Sequence, residues 1–149
     1  MSILFINGSP NKNGNTTRMA NALMNGKDYR TLHLVDYRLY GYGQNFADDQ
    51  FAEILEGMKE ADTVVIGSPV YWHSMCGLIR NLIDRFYGPV SQGELGERKF
   101  VFLFQGAAPE KWMLERAEYT MNRFARMYGM EYVGMATNEA EAKKLSEKI

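Results

Sequence analysis

The tripeptide Gly-Ser-Pro occurs twice in this chain, and each copy follows a short apolar run that is typical of a buried parallel strand. The first run, 2–7, leads into a segment, 8–17, that is rich in hydroxyl and amide side chains able to bind an anion. The second run, 63–66, leads into a segment, 67–74, whose aromatic side chains suit a flat ring. Ligands of open parallel sheets bind outside the carboxyl ends of the strands, so the two segments predict one shared site.

The first segment, 8–17, has the composition of a phosphate-binding loop. Glycine and small residues permit a tight turn that presents amide groups to an anion, and the N-terminus of a following helix adds the positive end of its dipole. Side-chain donors are expected from Ser9, Asn15, Thr16 and Thr17. Neither a Gly-Lys-Ser/Thr sequence nor a Gly-x-Gly-x-x-Gly fingerprint is present. The alternative interpretation is a polar turn followed by a helix cap.

The second segment, 67–74, would place a flat heterocycle. Pro69 would make the strand exit rigid, so that the backbone of residues 69–73, which includes Val70, faces the edge of the ring. Tyr71 and Trp72 offer stacking surface, and His73 would place a proton or a positive charge near a reduced ring. The alternative is that the two aromatic residues belong to the core and that the histidine neighbours a helix cap.

A third loop follows the most apolar run of the chain, 100–104, and contributes Gln105 and Gly106 to the same edge of the predicted sheet. One ligand with a phosphate at one end and a flat ring at the other would contact all three segments. Flavin mononucleotide (FMN) is such a ligand.

Composition limits the other possibilities. The 149 residues predict one domain, 1–149, and 46% hydrophobic with 23% charged residues is a globular composition. A net charge of −1 without a basic stripe argues against nucleic acid as a partner. No apolar stretch suits a membrane span, and no signal peptide is expected. The single cysteine, Cys76, is expected to be a packing residue and argues against a disulfide framework or a cysteine-based metal site, which fits a cytoplasmic location.

Apolar periodicity predicts strands alternating with helices, and therefore a five-stranded parallel sheet. The predicted strands cover 2–7, 29–35, 63–66, 100–104 and 132–136. The predicted helices cover 15–25, a segment capped by Asp48 or Asp49, 74–87, 110–128 and a segment from Asn138.

At the two Gly-Ser-Pro segments the chain resembles the NAD(P)H-dependent FMN reductase family of flavodoxin-like proteins. Residues 6–16 resemble the family's Gly-Ser-Pro-Arg-x-x-Gly-Asn-Thr loop, while 67–72 and 78–85 resemble its Pro-x-Tyr segment and the helix that follows. The resemblance implies an α/β three-layer sandwich with strand order 2-1-3-4-5, helices on both faces, non-covalently bound FMN and commonly a homodimer. It also implies that Asn11 contacts the phosphate where the family often has arginine.

The related iron–sulfur flavoproteins share both motifs and carry a cysteine cluster after the second strand. Here the corresponding segment, 36–45, holds Tyr37, Tyr40 and Tyr42 but no cysteine, so no cluster can form there. Two interpretations are equally favoured: an aromatic lid over the flavin of the same or a partner subunit, and a tyrosine-rich surface loop.

The predicted function is that of an oxidoreductase which takes hydride from NADH or NADPH onto N5 of FMN and reduces a quinone, a nitro or azo compound, or free flavin. No obligate acid–base residue is expected; His73 and Tyr71 are the candidates for stabilising the reduced ring. An electron-carrying flavodoxin is the alternative, although such carriers usually dock through an acidic face that a net charge of −1 does not suggest. A flavin-free binding module on the same fold is the third possibility.

Overall fold

A parallel sheet forms the centre of the structure, a computed structural model that describes residues 1–149. The strands are β1 (Ile3–Asn7), β2 (Arg30–His33), β3 (Thr63–Tyr71), β4 (Ser74–Met75), β5 (Lys99–Gln105) and β6 (Glu131–Ala136). The helices are α1 (Asn15–Met24), α2 (Phe51–Glu60), α3 (Gly77–Asp84), α4 (Lys111–Met127) and α5 (Glu139–Leu145), with short 3-10 turns at Leu34–Asp36 and Ser146–Lys148. No helix is both long enough and apolar enough to cross a membrane.

The five parallel strands lie in the order β2-β1-β3-β5-β6. This order confirms the predicted flavodoxin-like arrangement 2-1-3-4-5, since the additional strand β4 is only two residues long and pairs antiparallel with the end of β3. The strand order reverses at β1 and β3, which places a ligand site between their carboxyl ends.

Helices cover both faces of the sheet because successive strand residues point to opposite sides. Helices α2, α3 and α4 cover one set of buried side chains, which includes Leu4, Ile6, Val64, Ile66, Phe100, Phe102 and Phe104. Helices α1 and α5 cover the other set, which includes Ile3, Phe5, Val65, Val101 and Leu103. The near-continuous apolar sequence of these strands follows from burial on both faces.

Strand β3 is longer than the sequence predicted. The prediction that the strand ends at 66 and opens into a loop is wrong, because residues 67–69 pair in parallel with Leu103–Gln105 of β5. The predicted start of the third helix at Ser74 is wrong for a related reason: Ser74 and Met75 pair back onto β3 as β4, so α3 begins only at Gly77. That helix ends at Asp84 rather than at 87.

An ion pair of Asp49 with Arg85 fixes the long connection between β2 and α2. The two carboxylate oxygens of Asp49 each accept a hydrogen bond of 2.7 Å from the Arg85 guanidinium, which also donates to the Tyr40 carbonyl at 3.0 Å. The guanidinium lies 5.0 Å from the centre of the Phe51 ring. Asp49 Oδ2 further accepts from the Phe51 N–H at 3.2 Å, one of the free amides at the start of α2. The N-cap position itself is Gln50, so the prediction that Asp48 or Asp49 caps this helix is wrong.

The tyrosine-rich segment 36–45 lies against its own subunit through three different contacts. Tyr37 packs against the core, and Tyr40 donates to Asp48 at 2.9 Å while its ring lies 4.6 Å from that of Phe46. Tyr42 is exposed, with its ring 6.1 Å from that of Tyr87 beyond the end of α3. The role of the segment 36–45, as an aromatic lid or as a surface loop, stays a prediction.

Asp49→Asn is expected to lower the free energy of unfolding near neutral pH by about 1–3 kcal/mol, because it leaves a largely buried guanidinium without its anion. The Arg85 hydrogen bonds lower the pKa of Asp49 from its ordinary value to about 2. The contribution is therefore present above about pH 4 and lost as the pH falls towards about 2. Urea unfolding at neutral and acidic pH measures both effects.

The matched control is Asp48→Asn, because Asp48 carries an exposed ion pair of 3.4 Å with Arg38. This change is expected to cost less than about 0.5 kcal/mol. Equal unfolding free energies for the two variants at neutral pH would show that the Asp49 pair does not stabilise the fold.

Candidate functional site

A buried asparagine at the end of β1 organises the loop between β1 and α1. Asn7 is fully buried, and its Oδ1 accepts a hydrogen bond from the Ser9 N–H at 3.0 Å. Its Nδ2 contacts the Asn11 carbonyl at 3.5 Å and Nδ1 of His33 at 3.1 Å. Because Nδ2 can only donate, Nδ1 of His33 is the acceptor in this arrangement. Asn7 was not among the predicted site residues, although an amide side chain that ends an otherwise apolar buried strand is a signal for it.

Two further side chains give the loop its shape. Ser9 Oγ accepts from the Asn11 N–H at 3.1 Å, and Asn11 Oδ1 accepts from the Asn13 N–H at 3.1 Å. These are local turns in which a side chain replaces a backbone acceptor. Asn11 therefore shapes the loop, and its predicted contact with a phosphate stays a prediction.

The N-terminus of α1 leaves several donors free. The helix follows Gly14, which provides no side-chain cap, so the N–H groups of residues 15–17 have no hydrogen-bond acceptor within the protein. Thr16 is buried, and its Oγ1 accepts from Gln105 Nε2 at 3.4 Å, which leaves the hydroxyl hydrogen of Thr16 free. The hydroxyl hydrogen of Ser9, also buried, is likewise free. Free amides, two hydroxyls and a helix dipole are the features that suit a bound anion.

Other polar groups of the loop are already engaged. The Thr17 hydroxyl donates to the Lys12 carbonyl at 2.7 Å, and the Asn15 side chain accepts from the Arg18 guanidinium. The Lys12 ammonium lies 2.6 Å from a carboxylate oxygen of Asp36. Of the predicted side-chain donors, Ser9 and Thr16 are thus the two whose hydroxyl hydrogens remain available.

Close backbone contact joins the two Gly-Ser-Pro segments. The Gly8 N–H donates to the Gly67 carbonyl at 2.8 Å. A Cβ atom at Gly8 would lie 2.4 Å from Cγ1 of Ile79, and one at Gly67 would lie 2.5 Å from Cγ2 of Thr16. Both positions therefore require glycine.

A second set of contacts ties the same two segments to the start of α3. The buried Ser68 hydroxyl accepts from the Cys76 N–H at 2.9 Å, and the Cys76 thiol contacts the Gly8 carbonyl at 3.3 Å. Cys76 is the residue just before α3 rather than part of its first turn. Its predicted role as a small packing residue fits its burial.

The predicted ring segment is a β-hairpin whose tip projects from the sheet. Trp72 and His73 have φ values of 48° and 67°, and they join Tyr71 and Ser74, which pair across the turn. Two successive positive φ values are typical of the tight hairpin turn that favours Asn-Gly, so bulky residues here are strained. Trp72 is 93% exposed and Tyr71 is 47% exposed, so these rings are surface groups and not the core aromatics of the alternative interpretation.

Two other predicted ring contacts lie within β3 itself. Pro69 pairs with Gln105, and Val70 packs so closely on Gly106 that a Cβ there would lie 2.9 Å from Cβ of Val70. The expectation that Pro69 marks the strand exit is wrong, since pairing with β4 continues the strand two residues further.

The two halves of the site are separated along the strand direction. β1 ends opposite Gly67, and β3 continues for four residues to Tyr71. At about 3.3 Å per residue, the hairpin tip lies roughly 13 Å beyond the start of the loop 8–17, here called the anion-binding loop for its proposed role. The arrangement fits FMN, whose phosphate would lie at the N-terminus of α1 and whose ring would lie towards the hairpin.

Comparisons with known proteins agree with this geometry. A family model described as NADPH-dependent FMN reductase matches residues 1–142. An iron–sulfur flavoprotein of Archaeoglobus fulgidus is 36% identical over 98 residues, which cover 57% of this chain and 48% of that protein. An iron–sulfur flavoprotein of Methanocaldococcus jannaschii is 33% identical over 99 residues, which cover 57% and 51%. The chain thus spans about half the length of these relatives.

A solved structure described as a flavone reductase shares the fold. It aligns with a TM-score of 0.80 and 18% sequence identity over 100% of this chain and 62% of the other.

Thr16→Val is expected to weaken FMN binding roughly 10- to 100-fold, because it removes a buried hydroxyl donor to a charged phosphate while keeping the side-chain shape. Titration of the protein into FMN, followed by quenching of flavin fluorescence, measures the dissociation constant. Thr31→Val in β2 is the control, since Thr31 lies in mid-strand opposite Phe5 rather than at the carboxyl edge. Unchanged affinity in Thr16→Val would remove this loop as the phosphate site.

Proposed function

The chain belongs to the NADPH-dependent FMN reductase family, and we propose that it is an FMN-dependent oxidoreductase oxidising NADPH or NADH. We propose as acceptor a quinone, a nitro or azo compound, or free flavin. Bound FMN would supply the hydride-accepting and electron-donating chemistry, while the protein supplies binding and orientation.

The observation that carries the proposal is the set of unpaired donors at the N-terminus of α1. Buried or loop-enclosed polar groups are ordinarily paired, yet the amides of residues 15–17 and the hydroxyl hydrogens of Ser9 and Thr16 have no acceptor within the protein. A phosphate monoester provides acceptors for this set without a free cationic side chain, since Lys12 is held by Asp36.

The hairpin tip would orient the other end of the cofactor. Tyr71 is half-exposed on the projecting end of β3, and His73 follows on the turn, so both side chains can approach a bound ring. In this proposal the imidazole of His73 holds a proton near the reduced ring, and Tyr71 covers part of its surface. Neither residue is required for hydride transfer itself.

Anaerobic addition of NADPH to the purified, FMN-loaded protein tests the function. Rapid bleaching of the visible flavin absorption, followed by its return when a quinone is added, is the expected result. Persistence of the flavin bands would instead favour the electron-carrier alternative. Failure to retain or take up FMN would contradict both flavin-dependent functions and leave the flavin-free binding module.

We further propose that the protein forms a homodimer through the C-terminal parts of α3 and α4. A cavity of about 480 Å³ lies there, and Tyr87, Tyr119 and Met127 on its rim are exposed. Sedimentation velocity is expected to give twice the mass of the 17.1 kDa chain, and Tyr119→Glu is expected to shift the protein towards the monomer. A monomeric mass at micromolar concentration would contradict the proposed homodimer.

The cytoplasmic location of the protein stays a prediction.

A further inference from the structure

A second cavity, of about 300 Å³, lies between the hairpin tip and helix α4. Its lining includes Trp72, His73, Arg80, Trp112 and Arg116. No residue of the anion-binding loop 8–17 lines it, so it is separate from the phosphate end of the site. It shares the Trp72–His73 turn with the proposed flavin site, which makes the two adjacent. Its volume is at the lower end for ligand pockets and suits one or two rings.

Three aromatic side chains line this cavity, Trp72, His73 and Trp112, and both tryptophan rings are accessible. Trp72 is 93% exposed and Trp112 is 46% exposed. The His73 ring lies 6.0 Å from the Trp112 ring, inclined at 61°, so the edge of one faces the other. Trp72 has a strained backbone, and its exposed ring is not buried by other residues of the chain. A bound aromatic ring would bury part of that exposed surface.

The charge of the cavity has one sign. Arg80 and Arg116 line it, and no aspartate or glutamate does. Arg80 lies 3.3 Å from Asp84, but Arg116 has no ion pair and its guanidinium makes no hydrogen bond. The neighbouring acidic residues are engaged elsewhere: Glu110 accepts from the Trp112 indole N–H at 2.9 Å, and Glu115 pairs with Lys111 at 3.4 Å. The five donors of Arg116 are therefore available to a planar anion.

We propose that this cavity binds an aromatic ring bearing an anionic group, with the ring against Trp72 and Trp112 and the anion on Arg116. The proposal rests on the proposed oxidoreductase function, because such a ligand would lie beside the flavin. Two sources share this chemistry: an aromatic carboxylate or sulfonate that accepts electrons, and the adenylate end of the nicotinamide donor.

Intrinsic tryptophan fluorescence tests the site directly, because Trp72 and Trp112 are the two tryptophans of the chain and both line the cavity. The full chain, with and without FMN, is titrated with p-nitrobenzoate and with its neutral counterpart p-nitrobenzyl alcohol. Saturable quenching by the anion, with at least about tenfold weaker binding of the alcohol, is expected because a hydrogen-bonded charge is lost.

Arg116→Gln is expected to weaken p-nitrobenzoate binding roughly 10- to 100-fold. Arg123→Gln is the matched control, since Arg123 lies two turns further along α4 and lines the cavity of about 480 Å³. The affinity of this variant for p-nitrobenzoate is expected to match that of the wild type. Equal affinity of the Arg116→Gln variant and the wild type, or non-saturable quenching by both compounds, would overturn the proposal.

Two further measurements distinguish the sources and separate this proposal from the flavin function. Displacement of p-nitrobenzoate by AMP, with a raised KM for NADPH in Arg116→Gln, identifies the adenylate end of the donor. No displacement and an unchanged KM identify an acceptor. The visible absorption of bound flavin is recorded in the same samples, so a failure of FMN binding is seen independently of the tryptophan signal.

Discussion

The contact between the backbones of Gly8 and Gly67 is the constraint on which the rest of the site depends. The 2.8 Å hydrogen bond between them brings the ends of β1 and β3 together at the point where the strand order reverses. At this distance neither position has room for a Cβ atom, because Ile79 and Thr16 occupy the space. The same contact places Thr16, and with it the free N-terminus of α1, directly beside β3. The packing of the two strand ends thus requires glycine at both positions, independently of any ligand.

The anion-binding loop is organised before any ligand arrives. Asn7, Ser9 and Asn11 each supply one side-chain acceptor to an N–H two residues further along the chain. These bonds pair the amides of the loop and fix its conformation, while the amides at the start of α1 stay unpaired. A ligand that binds here pays little for ordering the loop, so most of the hydrogen-bond energy is available for affinity. In the proposed phosphate site, a preformed loop of this kind would compensate for the absence of a free cation.

The features of the structure that could be predicted from the residues are those with local determinants, and the features that could not depend on distant parts of the chain. The alternation of strands with helices and the loop at 8–17 were predictable, because apolar runs, glycine and helix-capping residues act within a few positions of one another. The strand order followed only from the family resemblance. The end of β3 was not, because pairing of residues 67–69 with β5 depends on a strand about 35 residues away. The hairpin was hidden for another reason: Trp72-His73 lacks the Asn-Gly signature by which such turns are identified. Asn7 was not predicted because a single amide side chain at the end of a strand does not form a recognisable motif.

The hairpin tip shows how the fold and its chemistry oppose each other. A left-handed backbone costs a residue with a side chain roughly 1–2 kcal/mol, and the turn holds two such residues in succession. Asparagine and glycine at these two positions would lower the conformational cost of the turn. A side chain smaller than that of Trp72 would also expose less apolar surface. Within the chain, Trp72 has no packing that offsets these terms, and His73 has only the edge contact with Trp112. The anion-binding loop stabilises itself through its own side chains, whereas the hairpin tip is held by the pairing of β3 with β4 and β5. Since that pairing fixes a strained turn in place, its exposed rings are presented at a defined position, where a ligand can supply the burial that the protein does not.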